Sequence, residues 1–208
     1  MEASFEFEAQ LRGETGTRKA RSLRRALKIP AVLYGGREAP LPLTLSKPQV
    51  DKNLEREAVY SHILTINIEG QGPVQAILKE VQRHPSRESV LHLDFQRIYA
   101  DEEIRVHVPL HFVNEETCVG VKKGGVITHN LVEVEVACLP GQLPEFIEVD
   151  LADLDLGEAI HLSELKLPEG VKPVELIHGT DVPVVTVLAP RVGEEEGEAG
   201  EEGGEEEV

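Results

Sequence analysis

The sequence predicts a mainly β protein in two domains. Residues 1–94 read as a small antiparallel β-barrel with about two helices, and residues 95–190 as an all-β, sandwich-like domain. Residues 191–208 read as a disordered Glu-rich tail. Three observations carry this. Apolar residues recur mostly with period two, the spacing of half-buried strands. Glycine and proline turn signals separate those runs at short intervals. The charge balance also changes abruptly near residue 95: Lys plus Arg against Asp plus Glu is 14 to 12 before that point and 7 to 26 after it.

Taken in order, Ser4 to Leu11 alternates, with Phe5, Phe7, Ala9 and Leu11 on one side of a strand. Ala20 to Lys28 can form a short helix that Pro30 would stop. Ala31 to Tyr34 is an apolar strand ending at Gly35-Gly36, and Leu41 to Leu45 is another. Ser46-Lys47-Pro48-Gln49 has the pattern of a capping box with an early proline, opening a helix to about Ala58. His62 to Ile68, Pro73 to Arg83 and Val90 to Ile98 complete the first domain as strands. In the last of these, Leu91, Leu93 and Phe95 are assigned to the core and His92 and Asp94 to the opposite face.

In the second domain Ile104 to Val113 alternates without a break, and Lys122-Lys123-Gly124-Gly125 reads as a hairpin turn. Leu131 to Cys138, Phe146 to Leu151, Ala159 to Leu162 and Val182 to Leu188 follow as strands. The stretch from Gly193 to Val208 contains only Gly, Ala, Val and nine Glu, so it cannot bury apolar surface and its charges repel one another.

Composition bounds the function. The chain has 208 residues, a net charge of −17, 40% hydrophobic residues, 4% aromatics and no Trp, so its core is aliphatic. That charge excludes a uniformly basic coat. Cys118 and Cys138 are too few for a disulfide scaffold and read as reduced thiols of a cytoplasmic protein. No apolar run is long enough to span a membrane, and Met1-Glu2-Ala3-Ser4 does not open a secretory signal. The common hydrolase, phosphate-loop and zinc-protease motifs are missing from the sequence, and neither enzyme chemistry nor a cofactor is expected. His107 and His111 share a strand face but lie about 13 Å apart at ~3.3 Å per residue, too far to hold one metal ion. They read as solvated.

The local charge points elsewhere. From Arg12 to Lys28 there are seven cations (Arg12, Arg18, Lys19, Arg21, Arg24, Arg25, Lys28) against Glu14 alone. Such a run is either a solvated loop or an electrostatic footprint for nucleic acid. Tyr34, ending a strand at two glycines, is either a core residue or a ring presented to a ligand. His92 and Asp94 lie side by side, as a surface ion pair or as half of an acid–base pair that lacks a nucleophile.

Four separated motifs decide among these readings. They are Gly16-Thr17-Arg18-Lys19-Ala20-Arg21-Ser22-Leu23-Arg24-Arg25, Lys28-Ile29-Pro30-Ala31-Val32-Leu33-Tyr34-Gly35-Gly36, Val81-Gln82-Arg83-His84-Pro85 and Leu91-His92-Leu93-Asp94-Phe95. In order and spacing they closely resemble the bacterial 5S rRNA-binding ribosomal proteins, the large-subunit family numbered twenty-five, which includes the general stress protein Ctc. Gly120 to Val126, Cys138-Leu139-Pro140, Ile147 to Leu151 and Leu165 to Pro168 resemble the extra domain of its long members. The resemblance implies a barrel on an irregular internal-loop region of 5S rRNA, with Arg21, Tyr34, His92 and Asp94 at RNA-contact positions and Gln82, Arg83 and the basic residues as helpers. It implies a ribosome-bound partner of 5S rRNA in the large subunit, with neighbouring ribosomal proteins as contacts of the second domain. The other reading is a stress-linked adaptor whose acidic second domain recruits a protein.

Overall fold

The computed structural model describes residues 5–36 and 38–189; the expected tail, 191–208, lies outside them. Six strands close a barrel: β1 (Phe5–Leu11), β2 (Lys28–Tyr34), β3 (Leu41–Ser46), β4 (Leu64–Ile68), β5 (Gly72–Arg83) and β6 (Val90–Arg97), in the order β1-β3-β2-β6-β5-β4. Most seams are antiparallel, but β1 pairs β4 and β2 pairs β6 in parallel. Phe7, Ile29, Leu33, Leu43, Leu64 and Leu93 fill the interior, where the Phe7 and Phe95 rings meet at 5.6 Å. This is the aliphatic core the composition called for, with one aromatic pair at its centre.

Three helices lie outside the barrel: α1 (Thr17–Arg25), α2 (Lys47–Leu54) and α3 (Ala58–Ser61). Several local expectations change here. Pro30 does not stop α1; the helix ends at Arg25 and the chain turns at Leu27, whose φ of 57° is left-handed. Pro30 instead sits inside β2, one residue before pairing with β6 begins at Ala31. The capping box does not form, because Ser46 makes no side-chain cap bond. Gln49 reaches across to the backbone of β1, accepting from the Glu8 amide at 3.3 Å and donating to the Glu6 carbonyl at 3.4 Å. Asn53 also donates to Glu6 O, at 3.0 Å, so two side-chain amides serve backbone groups of β1 that face α2. Leu11 is 47% exposed rather than in the core.

The second unit has a four-stranded sheet, β10-β7-β9-β12, and a three-stranded sheet, β11-β13-β8. Its strands are β7 (Ile104–Val113), β8 (Val126–His129), β9 (Glu133–Cys138), β10 (Ile147–Asp150), β11 (Ala159–His161), β12 (Lys172–Pro173) and β13 (Pro183–Leu188), with two short helices, α4 (Val119–Lys122) and α5 (Val174–Ile177). Val106, Val136 and Val149 of the larger sheet and Val185 and Val187 of the smaller one share a single core, as a sandwich requires.

Lys122 to Gly125 is not a hairpin turn. It closes α4 and leads into β8, which pairs with β13 and not with β7. The glycines serve close packing: a Cβ on Gly125 would stand 2.7 Å from Val187 Cγ1, and one on Gly120 would stand 2.8 Å from the same atom. Cys118 and Cys138 are buried free thiols, and burial pushes the Cys138 thiol above its ordinary pKa.

The two units share apolar packing. Ile77 and Ile98 are buried in the core of the second unit, and Ile63 packs against it. Polar contacts ring this junction. Ser61 Oγ donates to Glu145 O at 2.7 Å, His62 lies 3.0 Å from Glu145, and Lys79 Nζ donates to Arg105 O at 3.1 Å. His111 keeps a partly exposed side chain but also lies 3.2 Å from Glu57 and stacks on Phe146 at 4.5 Å. His107 is exposed, as expected.

Candidate nucleic-acid interface

The basic run is a helix. In α1, Ala20, Leu23 and Arg24 are half-buried and face the barrel, while Arg18, Lys19, Arg21 and Arg25 are exposed. The spacing i, i+3, i+4 explains this: only those positions share a face. Arg24 Nε donates to Leu91 O at 3.0 Å, which fixes α1 beside β6 one residue before His92. Lys19 pairs with Glu14, and the Lys19 ammonium holds the Glu14 carboxyl below its ordinary pKa. Arg12 is half-buried just past β1, where its amide donates to Pro42 O.

A second group of residues comes together on the outer face of three adjacent strands. Val32 of β2 lies opposite Asp94 of β6, and Tyr34 opposite Gln96. On the other side, Gln82 of β5 lies opposite His92 and Glu80 opposite Asp94. Tyr34, His92, Asp94 and Gln82 thus share one face next to α1. His92 Nδ1 and Asp94 Oδ1 are 2.6 Å apart, with both side chains about a quarter exposed. Burial pushes the Tyr34 phenol above its ordinary pKa, and the Asp94 and Glu80 carboxylates push it the same way. The phenol therefore stays a neutral donor at any physiological pH.

Arg83 is not brought to this face. The register shifts between Gln82 and Arg83, and Arg83 Nη2 donates to the Tyr60 hydroxyl at 2.7 Å. The same shift corrects the inner face of β6: Val90 is the buried residue, and Leu91 is only half-buried. Glu80 and Gln96 also belong to the face. Period two leads from Asp94 to Gln96 and from Gln82 to Glu80 in the sequence, but the cross-strand register is what sets Glu80 opposite Asp94.

The face has the makings of an RNA-binding surface. It offers a phenol, an amide, an imidazole and carboxylates for sugar and base edges, beside a helix of cations for phosphates. Comparison with known proteins gives the family. Residues 7–95 match the Ribosomal L25p family, and residues 103–191 match a family described as Ribosomal protein TL5, C-terminal domain. The large ribosomal subunit protein bL25 of Methylococcus capsulatus is 58% identical over 93% of this chain and 96% of its own length. The chain belongs to the ribosomal L25p family. Two further L25p relatives are both named large ribosomal subunit protein bL25. That of Alteromonas mediterranea is 47% identical over 99% of each chain. That of Stutzerimonas stutzeri is 49% identical over 92% of this chain and 94% of its own. These relatives are ribosomal proteins by name, in line with a non-enzymatic role. Among the described residues, no helix is long and apolar enough to cross a membrane.

Proposed function

We propose that this protein is a component of the large ribosomal subunit and that its barrel, residues 1–94, binds 5S rRNA. The observation that carries this is the convergence of Tyr34, Gln82, His92 and Asp94 on one barrel face beside α1. Arg18, Lys19, Arg21, Arg24 and Arg25 position phosphates, with Arg12 at their margin. Tyr34, Gln82, His92 and Asp94 read sugar and base edges. Arg83, held by the Tyr60 hydroxyl, adds long-range charge.

Residues 95–190, strongly acidic, face neighbouring ribosomal proteins. Regular A-form RNA shows only a shallow minor groove, whereas an irregular internal loop exposes base edges that such a face can read. A gel-shift titration with 5S rRNA against an unrelated rRNA fragment of equal length tests the reading. Tighter binding to 5S rRNA, together with co-sedimentation with large subunits, is expected. Equal binding to both RNAs would overturn it.

A further inference from the structure

On the outer face of the barrel one pairing runs against simple electrostatics. Leu78 of β5 lies opposite Phe95 of β6. Continuing that register by one residue would set Lys79 against Asp94, an attractive pair. The ladder instead slips at Lys79, so that Glu80 lies opposite Asp94. Directly opposed residues on neighbouring strands have their Cβ atoms roughly 5 Å apart, and like charges there are destabilising. Lys79 is turned toward the second unit, where it donates to Arg105 O at 3.1 Å and lies 3.4 Å from Glu135. The bulge therefore removes a cation from the face and installs a second carboxylate. Bulges beside functional sites re-aim side chains in this way.

The neighbours of Glu80 are arranged around its charge. The Gln82 amide donates to Glu80 Oε1 at 3.5 Å. Burial first, and then the Asp94 and Glu80 carboxylates, push the Tyr34 phenol above its ordinary pKa. His92 sits against Asp94 at 2.6 Å. Glu80 itself is exposed. A strip of acceptors thus crosses the middle of a surface whose flank, α1, is cationic.

We propose that Glu80 is a specificity-determining residue of this face, acting with Asp94 to favour RNA that presents base amino groups and to reject RNA that presents phosphates. The inference rests on the proposed binding of 5S rRNA. A carboxylate is an acceptor only. It bonds the amino groups of cytosine, adenine or guanine, and it repels a phosphate oxygen. The cations of α1 attract any RNA. Glu80 and Asp94 subtract from that attraction wherever a regular backbone lies over them, and restore it only where base donors reach them.

The test compares the unaltered protein with Glu80→Gln. Affinities are measured for 5S rRNA and for a regular RNA duplex of similar length, at one fixed salt concentration. The substitution keeps the size and removes the charge. It relieves the opposition to Asp94, so the thermal midpoint should be unchanged or higher. Affinity for 5S rRNA should fall about tenfold, while affinity for the duplex should rise about two- to threefold. Tighter binding to both RNAs would show Glu80 to be a solvated charge and would overturn the inference. Equal weakening of both, or no change in either, would overturn it too. The parent reading is tested separately in the unaltered protein: if that shows no preference for 5S rRNA over the duplex, the proposed function fails before any variant is compared.

Discussion

Cutting the chain after Ile98 isolates the barrel and should reveal how much of its stability is borrowed. In the whole chain Ile77 is 1% exposed and Ile98 is 9% exposed, yet both belong to the apolar cluster of the second unit. Truncation returns both side chains to water in an otherwise intact barrel. At about 1.5–3 kcal/mol for each fully buried isoleucine, the fragment loses about 3–6 kcal/mol. That is a large share of the roughly 5–15 kcal/mol that holds a typical domain together. The bonds from Ser61 to Glu145 O and from Lys79 to Arg105 O are broken as well, but their barrel-side groups become solvated, so they add little. Urea denaturation followed by circular dichroism measures the difference. Ile77→Thr supplies the decisive control. In the whole chain it should cost about 2 kcal/mol or more, because it shrinks a buried side chain and buries a hydroxyl. In the fragment it should cost almost nothing, since position 77 then faces water. An equal cost in both contexts would make Ile77 a barrel core residue and refute the shared-core reasoning.

Other outcomes follow from the face and its flank. At a temperature where both are folded, the fragment should bind 5S rRNA as tightly as the whole chain, and more tightly at low salt, because the acidic remainder is gone; much weaker binding would place RNA contacts in the second unit. Asp94→Asn should weaken 5S rRNA binding by about 1–3 kcal/mol through loss of a charge-assisted bond. The opposing gain from removing one negative charge about 6 Å from a phosphate is only ~0.7 kcal/mol in water. Tighter or unchanged binding by a normally folded variant would remove Asp94 from recognition. Single replacement of Arg18, Lys19 or Arg25 by Ala should flatten the log–log salt dependence of affinity by roughly 0.7–0.9 for each phosphate that is no longer neutralised; three unchanged slopes would leave α1 merely solvated. The Lys123 ammonium, 2.5 Å from Asp155, and the Leu156 amide hold the Asp155 carboxyl below its ordinary pKa of 3.8. A lowered folded-state pKa means that this stabilisation is complete above 3.8 and is lost as pH falls through the folded value. Acid unfolding of Lys123→Met, followed by circular dichroism, should therefore begin at higher pH than in the unaltered protein, and coincident curves would remove the pair from the acid response.

The sequence by itself determined the periodic parts of this molecule. Alternation placed Phe7, Leu64 and Phe95 in the barrel, and His92 beside Asp94 on the opposite face, because a strand's side chains obey a local rule of two. The change of charge near residue 95 is likewise a property of the chain, and it separates a barrel flanked by cations from an acidic sandwich. The tertiary structure alone decided what depends on neighbours distant in sequence. Lys122 to Gly125 has the composition of a turn, but its Gly125 answers to Val187, more than sixty residues away. Ile77 alternates as an outward residue of β5 and is buried only because another sheet covers it. The parallel seams of the barrel and the slip at Lys79 are choices of register, and register is set by how whole strands fit together. That slip places Glu80 rather than Lys79 against Asp94, so the charge on the face that we assign to RNA was settled by pairing geometry and not by the order of residues along the strand.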